Sequence, residues 1–251
     1  MDDLNGRPRL IAHRGAANLF PENSLIGIEA ALRAGARHVE IDIQLSRDGV
    51  PMVIHDDRLH RVTGHPGSVF DLDADELRAL PCGEPGRLGS SFPGPRLVTL
   101  YELVALWLAW PNATLWVEIK EESIRRFSAT RVLEEVLTAL HPITGRFVLI
   151  SYDPHILDHA RERCNAPIGW VLHGYDDDTR LTADRLCPEF LICNVRKITA
   201  EGLWPGAWQW ALYEFSDPEP ALHWFLKGAQ FIETMAITEF LRNPRWLVKR
   251  S

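Results

Sequence analysis

Two rhythms of apolar residues alternate along this chain. Short runs that are apolar at every second position, or apolar throughout, predict strands. Between them lie longer stretches with apolar residues three and four apart, which predict helices. The clearest strand begins at His38, where Val39, Ile41 and Ile43 share one face and Glu40 and Asp42 share the other. Further strands are predicted over residues 9–12, 114–119, 147–150, 168–171, 190–193, 209–213 and 230–232. Helices are predicted over residues 100–110, 129–140, 154–163, 218–227 and 237–242, with a short one near 199–203. Ser24 is placed to cap a further helix that runs to about Ala34 and is closed by Gly35.

After the His38 strand comes Asp48-Gly49, a strong hairpin signal because Gly accepts the positive φ of a tight turn. A two-residue loop there makes Arg47 face Val50, and the return arm, residues 50–54, then sets His55 opposite Asp42 and diagonal to Glu40. A slip of one residue would turn His55 to the other face. Residues 57–98 hold 11 glycines and prolines, which marks an irregular excursion. Only residues 73–80 look helical within it, with Asp73 and Glu76 as a capping pair.

Leaving the hairpin arm aside, eight strands mostly separated by helices in 251 residues match the size of one (β/α)8 barrel. No G-x-G-x-x-G opens a helix, which disfavours an open doubly wound sheet. The expected α/β architecture is therefore a TIM barrel forming a single domain over 1–251, with a small loop-rich insertion at about 57–98.

Charge narrows the range of partners. The net charge of −7 leaves no basic stripe for nucleic acid, and an acidic protein handling an anion needs local cations at its site. Four cysteines without a C-x-x-C pair suit reduced, mostly buried thiols and a cytoplasmic setting. The first residues show no signal peptide, and the longest apolar run, residues 103–110, is too short for membrane insertion. Oligomeric state is left open.

In a barrel of this kind, chemistry sits at the C-terminal ends of the strands. His13 and Arg14 end the first strand, Glu40 and Asp42 lie in the second, and Glu118 and Lys120 occupy alternate positions of V-E-I-K. Three carboxylates converging on one point repel unless a hard dication sits between them, and oxygen ligands favour Mg²⁺ or Ca²⁺. Two imidazoles beside it, His13 and His55, can act as general acid and base. Arg14 and Lys120 offer a fork and a point charge to phosphate. Together these parts suit phosphodiester hydrolysis. Taken singly each has a plainer account: a polar hairpin face, a solvated strand end, a weak surface ion pair. His155, Asp158 and His159 look superficially like a metal motif on a helix whose polar face should be wet. Of Trp208 and Trp210, one is expected to line a pocket and the other to pack outside. Cys187 and Cys193, which bracket an apolar strand, are expected to be core thiols.

The chain resembles the glycerophosphodiester phosphodiesterase family. The resemblance lies in A-H-R-G (12–15), P-E-N-S (21–24), the block from Ala34 to Asp56, V-E-I-K (117–120) and S-Y-D-P (151–154). It implies a barrel with a small inserted subdomain and a dication, Mg²⁺ or Ca²⁺, held by Glu40, Asp42 and Glu118. It also implies His13 and His55 as the acid/base pair, Arg14 and Lys120 on the phosphate, and Glu22 and Asn23 bracing the site. The implied substrate is a small glycerophosphodiester, cleaved to sn-glycerol 3-phosphate and an alcohol. Where many members read W-T-V-N, this chain has Trp210-Ala211-Leu212-Tyr213, and Trp210 is taken as the substrate-binding aromatic. Where they read I-x-T-D-x-P, it has Ile232-Glu233-Thr234-Met235-Ala236-Ile237. These departures bear on substrate identity. The rival readings are a lysophospholipase D or phospholipase C-like enzyme acting on lipid, a non-catalytic phosphate binder, and an aldolase-like barrel that would need a Schiff-base lysine.

Overall fold

The computed structural model describes residues 8–244. Its nine strands are β1 (Arg9–His13), β2 (His38–Leu45), β3 (Pro51–Val53), β4 (Thr114–Ile119), β5 (Phe147–Ser151), β6 (Ile168–Val171), β7 (Phe190–Asn194), β8 (Gln209–Tyr213) and β9 (Phe231–Thr234). Eight of them run parallel in the order β1-β9-β8-β7-β6-β5-β4-β2, and β1 pairs again with β2 to close the ring. The expected (β/α)8 barrel is the fold that forms. β3 stands outside the ring as an antiparallel arm of β2.

Period-two alternation assigns the two faces of each strand. Val39, Ile41 and Ile43 of β2 and Leu115 and Val117 of β4 point outward into the main core, against α1 (Leu25–Ala34) and its neighbours. Ser24 caps α1 by accepting from Gly27 N, and Gly35 ends it at φ 108. The positions between point into the barrel. Toward the N-terminal ends of the strands that interior is filled by Trp116, Phe190 and Phe231 in mutual ring contact.

The insertion carries three short helices, α2 (His60–Thr63), α3 (Ala74–Arg78) and α4 (Pro85–Leu88). Leu59, Val62, Val69, Leu77 and Cys82 form an apolar cluster of their own, together with Met52 and Ile54 from the hairpin arm. The Asp73/Glu76 capping box is present at α3. The first helix beyond the insertion, α5 (Leu100–Trp107), stops short of Trp110 because Pro111 disfavours a helical residue before it.

Several expectations need correcting. The hairpin pairs Ile43 with Val53 and Leu45 with Pro51, one residue away from the expected register. The loop is Arg47-Asp48-Gly49, held by Ser46, whose Oγ accepts from Val50 N at 2.9 Å while Gly49 takes φ +91. The residue opposite Asp42 is therefore Ile54, whose N–H donates to Asp42 O at 3.0 Å. No helix forms at 199–203; one 3₁₀ turn at Val195–Lys197, capped by Asn194, serves there instead. The sequence pattern marks neither α2 nor α4 within the insertion, nor α6 (Glu121–Phe127) and α9 (Asp177–Leu186) beyond it. α9 buries only Ala183 and Leu186, too thin a stripe to register as a period. The remaining helices are α7 (Ala129–Leu140), α8 (Pro154–Arg163), α10 (Pro218–Leu226) and α11 (Ile237–Arg242). The cysteines are all free, but Cys187 is an exposed helix cap at φ 46 and not a core thiol, and Cys164 is half-buried. Among the described residues, no helix is long and apolar enough to cross a membrane.

Candidate active site

At the C-terminal ends of the strands the barrel opens into a cavity of about 320 Å³ lined by His13, Arg14, His55, Glu118, Lys120 and Glu233, among others. Each side chain has a local reason to be there. In Ala12-His13-Arg14-Gly15 the chain turns sharply off β1, with Arg14 at φ 56 and Gly15 at φ 84. A Cβ on Gly15 would come within 2.8 Å of the backbone of Gly27 and Ile28, so only glycine fits. This turn aims Arg14 N at Glu40 Oε2, 3.1 Å away, and lays the guanidinium beside Asp42 at 3.1 Å and Glu22 at 3.2 Å. Asn23, another left-handed residue at φ 55, clasps Asp42. Its Nδ2 donates to Asp42 Oδ2 at 2.9 Å, and its Oδ1 accepts from Asp42 N at 3.3 Å.

Parallel pairing of β2 with β4 sets Asp42 level with Glu118. Glu40, Asp42 and Glu118 each offer an oxygen, all within 4.8 Å of one another. Glu40 is 2% exposed and Asp42 is fully buried. Lys120 completes the wall, its Nζ 2.7 Å from Glu118 and 3.4 Å from Asp42.

His55 reaches the cavity although the hairpin register is shifted. The strand pairing ends at Val53, and the chain bends beyond Ile54, which returns the imidazole to the side that straight continuation would have denied it. Its Nδ1 sits 2.6 Å from Asp56 Oδ1, so Nδ1 carries the proton and Nε2 is the nitrogen left for chemistry. His13 lines the same cavity, with Nε2 3.9 Å from Glu40 and Nδ1 3.5 Å from Glu214.

The chamber is rich in negative charge. Burial pushes Glu40 well above the usual carboxyl range, and Asp42, Glu233 and Glu118 push it further. Burial likewise raises Glu118, although Lys120 opposes it, and lifts Glu233 to about 7. Asp42 behaves oppositely: burial works against its charge, but Arg14 and Lys120 outweigh that and hold it far below the usual range. Burial would lower His13, yet Glu233 and Glu214 raise it overall. Glu40 Oε1 and Asp42 Oδ1 are buried without a hydrogen-bond partner among the described residues. Orphaned oxygens on converging carboxylates are what a hard cation satisfies, so this donor set fits Mg²⁺ or Ca²⁺.

Sequence reasoning missed Glu233, which with His13 and Glu40 forms a second cluster that could hold a metal. The signal was a lone charge in the apolar run Phe231-Ile232-Glu233, and pairing with Ile11 of β1 turns it inward. Also missed were Tyr152 and Tyr213, whose hydroxyls meet at 2.6 Å on the cavity wall. Trp210 does not line the cavity. On β8 the inward residues are Ala211 and Tyr213, so Trp210 points outward, donating from Nε1 to Trp204 O and packing with Trp204 and Tyr175. Trp208 also packs in the outer core. His155, Asp158 and His159 are exposed on α8, away from the cavity.

Comparison with known proteins places this architecture. Glycerophosphodiester phosphodiesterase 1 of Bos taurus is 30% identical over 175 residues, 69% of this chain and 52% of that protein. The Homo sapiens protein of the same name is 32% identical over 161 residues, 63% of this chain and 47% of that protein. The chain thus spans about half the length of these relatives. An Oleispira antarctica phosphodiesterase, solved in complex with the product sn-glycerol-3-phosphate, superposes with a TM-score of 0.81. At 21% identity, with 93% of this chain and 95% of that one covered, the likeness shows a shared fold. The family model described as the glycerophosphoryl diester phosphodiesterase family matches residues 13–200, which span the strand ends bearing Arg14, Glu40, Asp42 and Glu118, and the chain belongs to that family.

Proposed function

We propose that this chain hydrolyses small glycerophosphodiesters to sn-glycerol 3-phosphate and an alcohol, in a reaction that depends on a divalent cation. The observation behind this reading is the convergence of Glu40, Asp42 and Glu118 within 4.8 Å, between two histidines, at the C-terminal mouth of the barrel. These three carboxylates would hold the dication, Mg²⁺ or Ca²⁺. When bound, it supplies Lewis-acid polarisation of a phosphoryl oxygen.

The chain's own residues do the rest. Arg14 and Lys120 face the cavity as permanent cations; burial opposes their charge, but the carboxylates around them keep both protonated. They bind and orient the phosphodiester anion. His55, with Nδ1 committed to Asp56, exchanges a proton at Nε2. His13, at the end of β1, exchanges another. One imidazole takes the proton of the nucleophile and the other gives one to the departing alkoxide. The nucleophile is a water or the glycerol 2-hydroxyl, the second route passing through a cyclic phosphate. Asn23 and Glu22 hold Asp42 and Arg14 in place.

A coupled assay for glycerol 3-phosphate tests this across choline, ethanolamine, glycerol and inositol diesters, with a choline lysolipid as a further arm read by choline release, because its cleavage leaves an acylated glycerol phosphate. Release of glycerol 3-phosphate that stops with chelator and returns with Mg²⁺ or Ca²⁺ is expected. Full turnover in excess chelator would reject the dication role, and absence of product from every diester would reject the activity. Product from the lysolipid alone would move the reading to lipid cleavage.

A further inference from the structure

His55 and Arg14 both line the cavity but come from different elements, and one side chain outside the barrel joins them. Arg61, on α2 of the insertion, donates Nε to Asp56 Oδ2 at 2.6 Å. Its Nη1 and Nη2 donate to Glu22 Oε2 and Oε1 at 2.8 and 2.6 Å. Asp56 in turn holds His55 Nδ1, and Glu22 Oε1 also meets Arg14 Nη1. The result is an alternating chain, His55–Asp56–Arg61–Glu22–Arg14, that ends on Asp42. Most surface ion pairs do little. This one differs in geometry: the Glu22 side chain is only 6% exposed, and the contact is bidentate.

We propose that Arg61 is a positioning residue that sets, through Asp56 and Glu22, the orientation of both His55 and Arg14, so that docking of the insertion arms the site. The inference rests on the acid/base reading of His55 given above. A second contact supports the docking: Glu84, beside α4, accepts from Glu22 N at 2.5 Å, and Arg87 donates to Ala17 O and Phe20 O at 2.6 and 2.9 Å. The planar guanidinium of Arg61 sets Nε on Asp56 and the Nη pair on Glu22, a fixed fork that a lysine ammonium does not reproduce.

The test is a double-mutant cycle with kcat and KM measured separately on a glycerophosphodiester. Arg61→Ala should lower kcat by about 10- to 100-fold, as removal of groups that orient a working ligand typically does, and should also raise KM through Arg14. In a His55→Ala background the same change should cost kcat less than about 3-fold, because the histidine it orients is gone. Millimolar guanidinium should restore part of the lost kcat where equal NaCl does not. If Arg61→Ala does not fold, as circular dichroism would show, Arg61→Lys carries the same cycle. Equal kcat losses in both backgrounds, with His55→Ala itself crippled, would overturn the positioning role and leave the acid/base reading standing. Near-wild-type turnover of His55→Ala would overturn both.

Discussion

The two ends of the barrel interior are built from the same strands and have opposite characters. At the N-terminal end, Trp116, Phe190 and Phe231 fill the space ring against ring, with centroids 4.6 to 5.4 Å apart. The polar atom there is used: Trp116 Nε1 donates to His38 Nδ1 at 3.3 Å. At the C-terminal end, Glu40, Asp42, Glu118 and Glu233 crowd around Arg14 and Lys120. Buried polar atoms of His13, Arg14, Glu40 and Asp42 lack hydrogen-bond partners among the described residues. One end is packed for stability, and the other keeps unmet charge that a cation and an anionic substrate would neutralise.

Glu40→Gln should break this contrast most sharply. It removes one of the three carboxylates proposed to hold the dication, so kcat should fall by at least ~10²-fold, beyond the usual effect of an outer partner. Stability should move the other way. Burial and three neighbouring carboxylates disfavour the Glu40 charge, so a neutral isostere should raise Tm by about 2–4 °C. A parallel fall in Tm and activity would mean that the charge chamber is not strained.

At the other end, Trp116→Ala should cost roughly 3–5 kcal/mol in denaturant unfolding while the folded fraction keeps its kcat. An equal loss of specific activity would show that the two ends are coupled.

His38 gives the aromatic end a pH signature. Burial, with Arg9 and Arg37 nearby, lowers its pKa to about 4 from the usual 6.5. The unfolded chain therefore takes up a proton that the folded chain refuses, and stability falls as pH drops from about 6.5 to 4, then levels. The loss should be roughly 2–3 kcal/mol, and His38→Leu should flatten that part of the wild-type curve. Identical curves for the two proteins between those pH values would refute it.

The smallest effect is expected from Trp210→Phe. This side chain packs outside the barrel, so the change should cost about 1 kcal/mol of stability and leave kcat and KM within about 2-fold. A large rise in KM would return Trp210 to the substrate pocket.

Legibility in the sequence followed the range of the interaction that each feature depends on. β4 (Thr114–Ile119), α7 (Ala129–Leu140) and α8 (Pro154–Arg163) have their expected bounds, because each is a complete local pattern between breakers. Glu40 and Asp42 share a wall because strand alternation is local, and Glu118 joins them through parallel pairing. The histidine of the hairpin arm reached the cavity by another route than the pattern implied: a three-residue loop shifted the register, and a bend after Ile54 reversed the consequence. Trp210 and Tyr213 show the reverse problem. Both are plausible pocket aromatics, and only the inward parity of β8 chooses between them.

The sequence by itself determined the barrel and the strand ends that carry the acids, because backbone periodicity acts between near neighbours. Tertiary structure alone decided that Glu233 faces His13 and that Arg61 bridges Asp56 and Glu22. Those contacts join residues far apart in the chain, and their geometry exists only once the ring has closed and the insertion has docked on it.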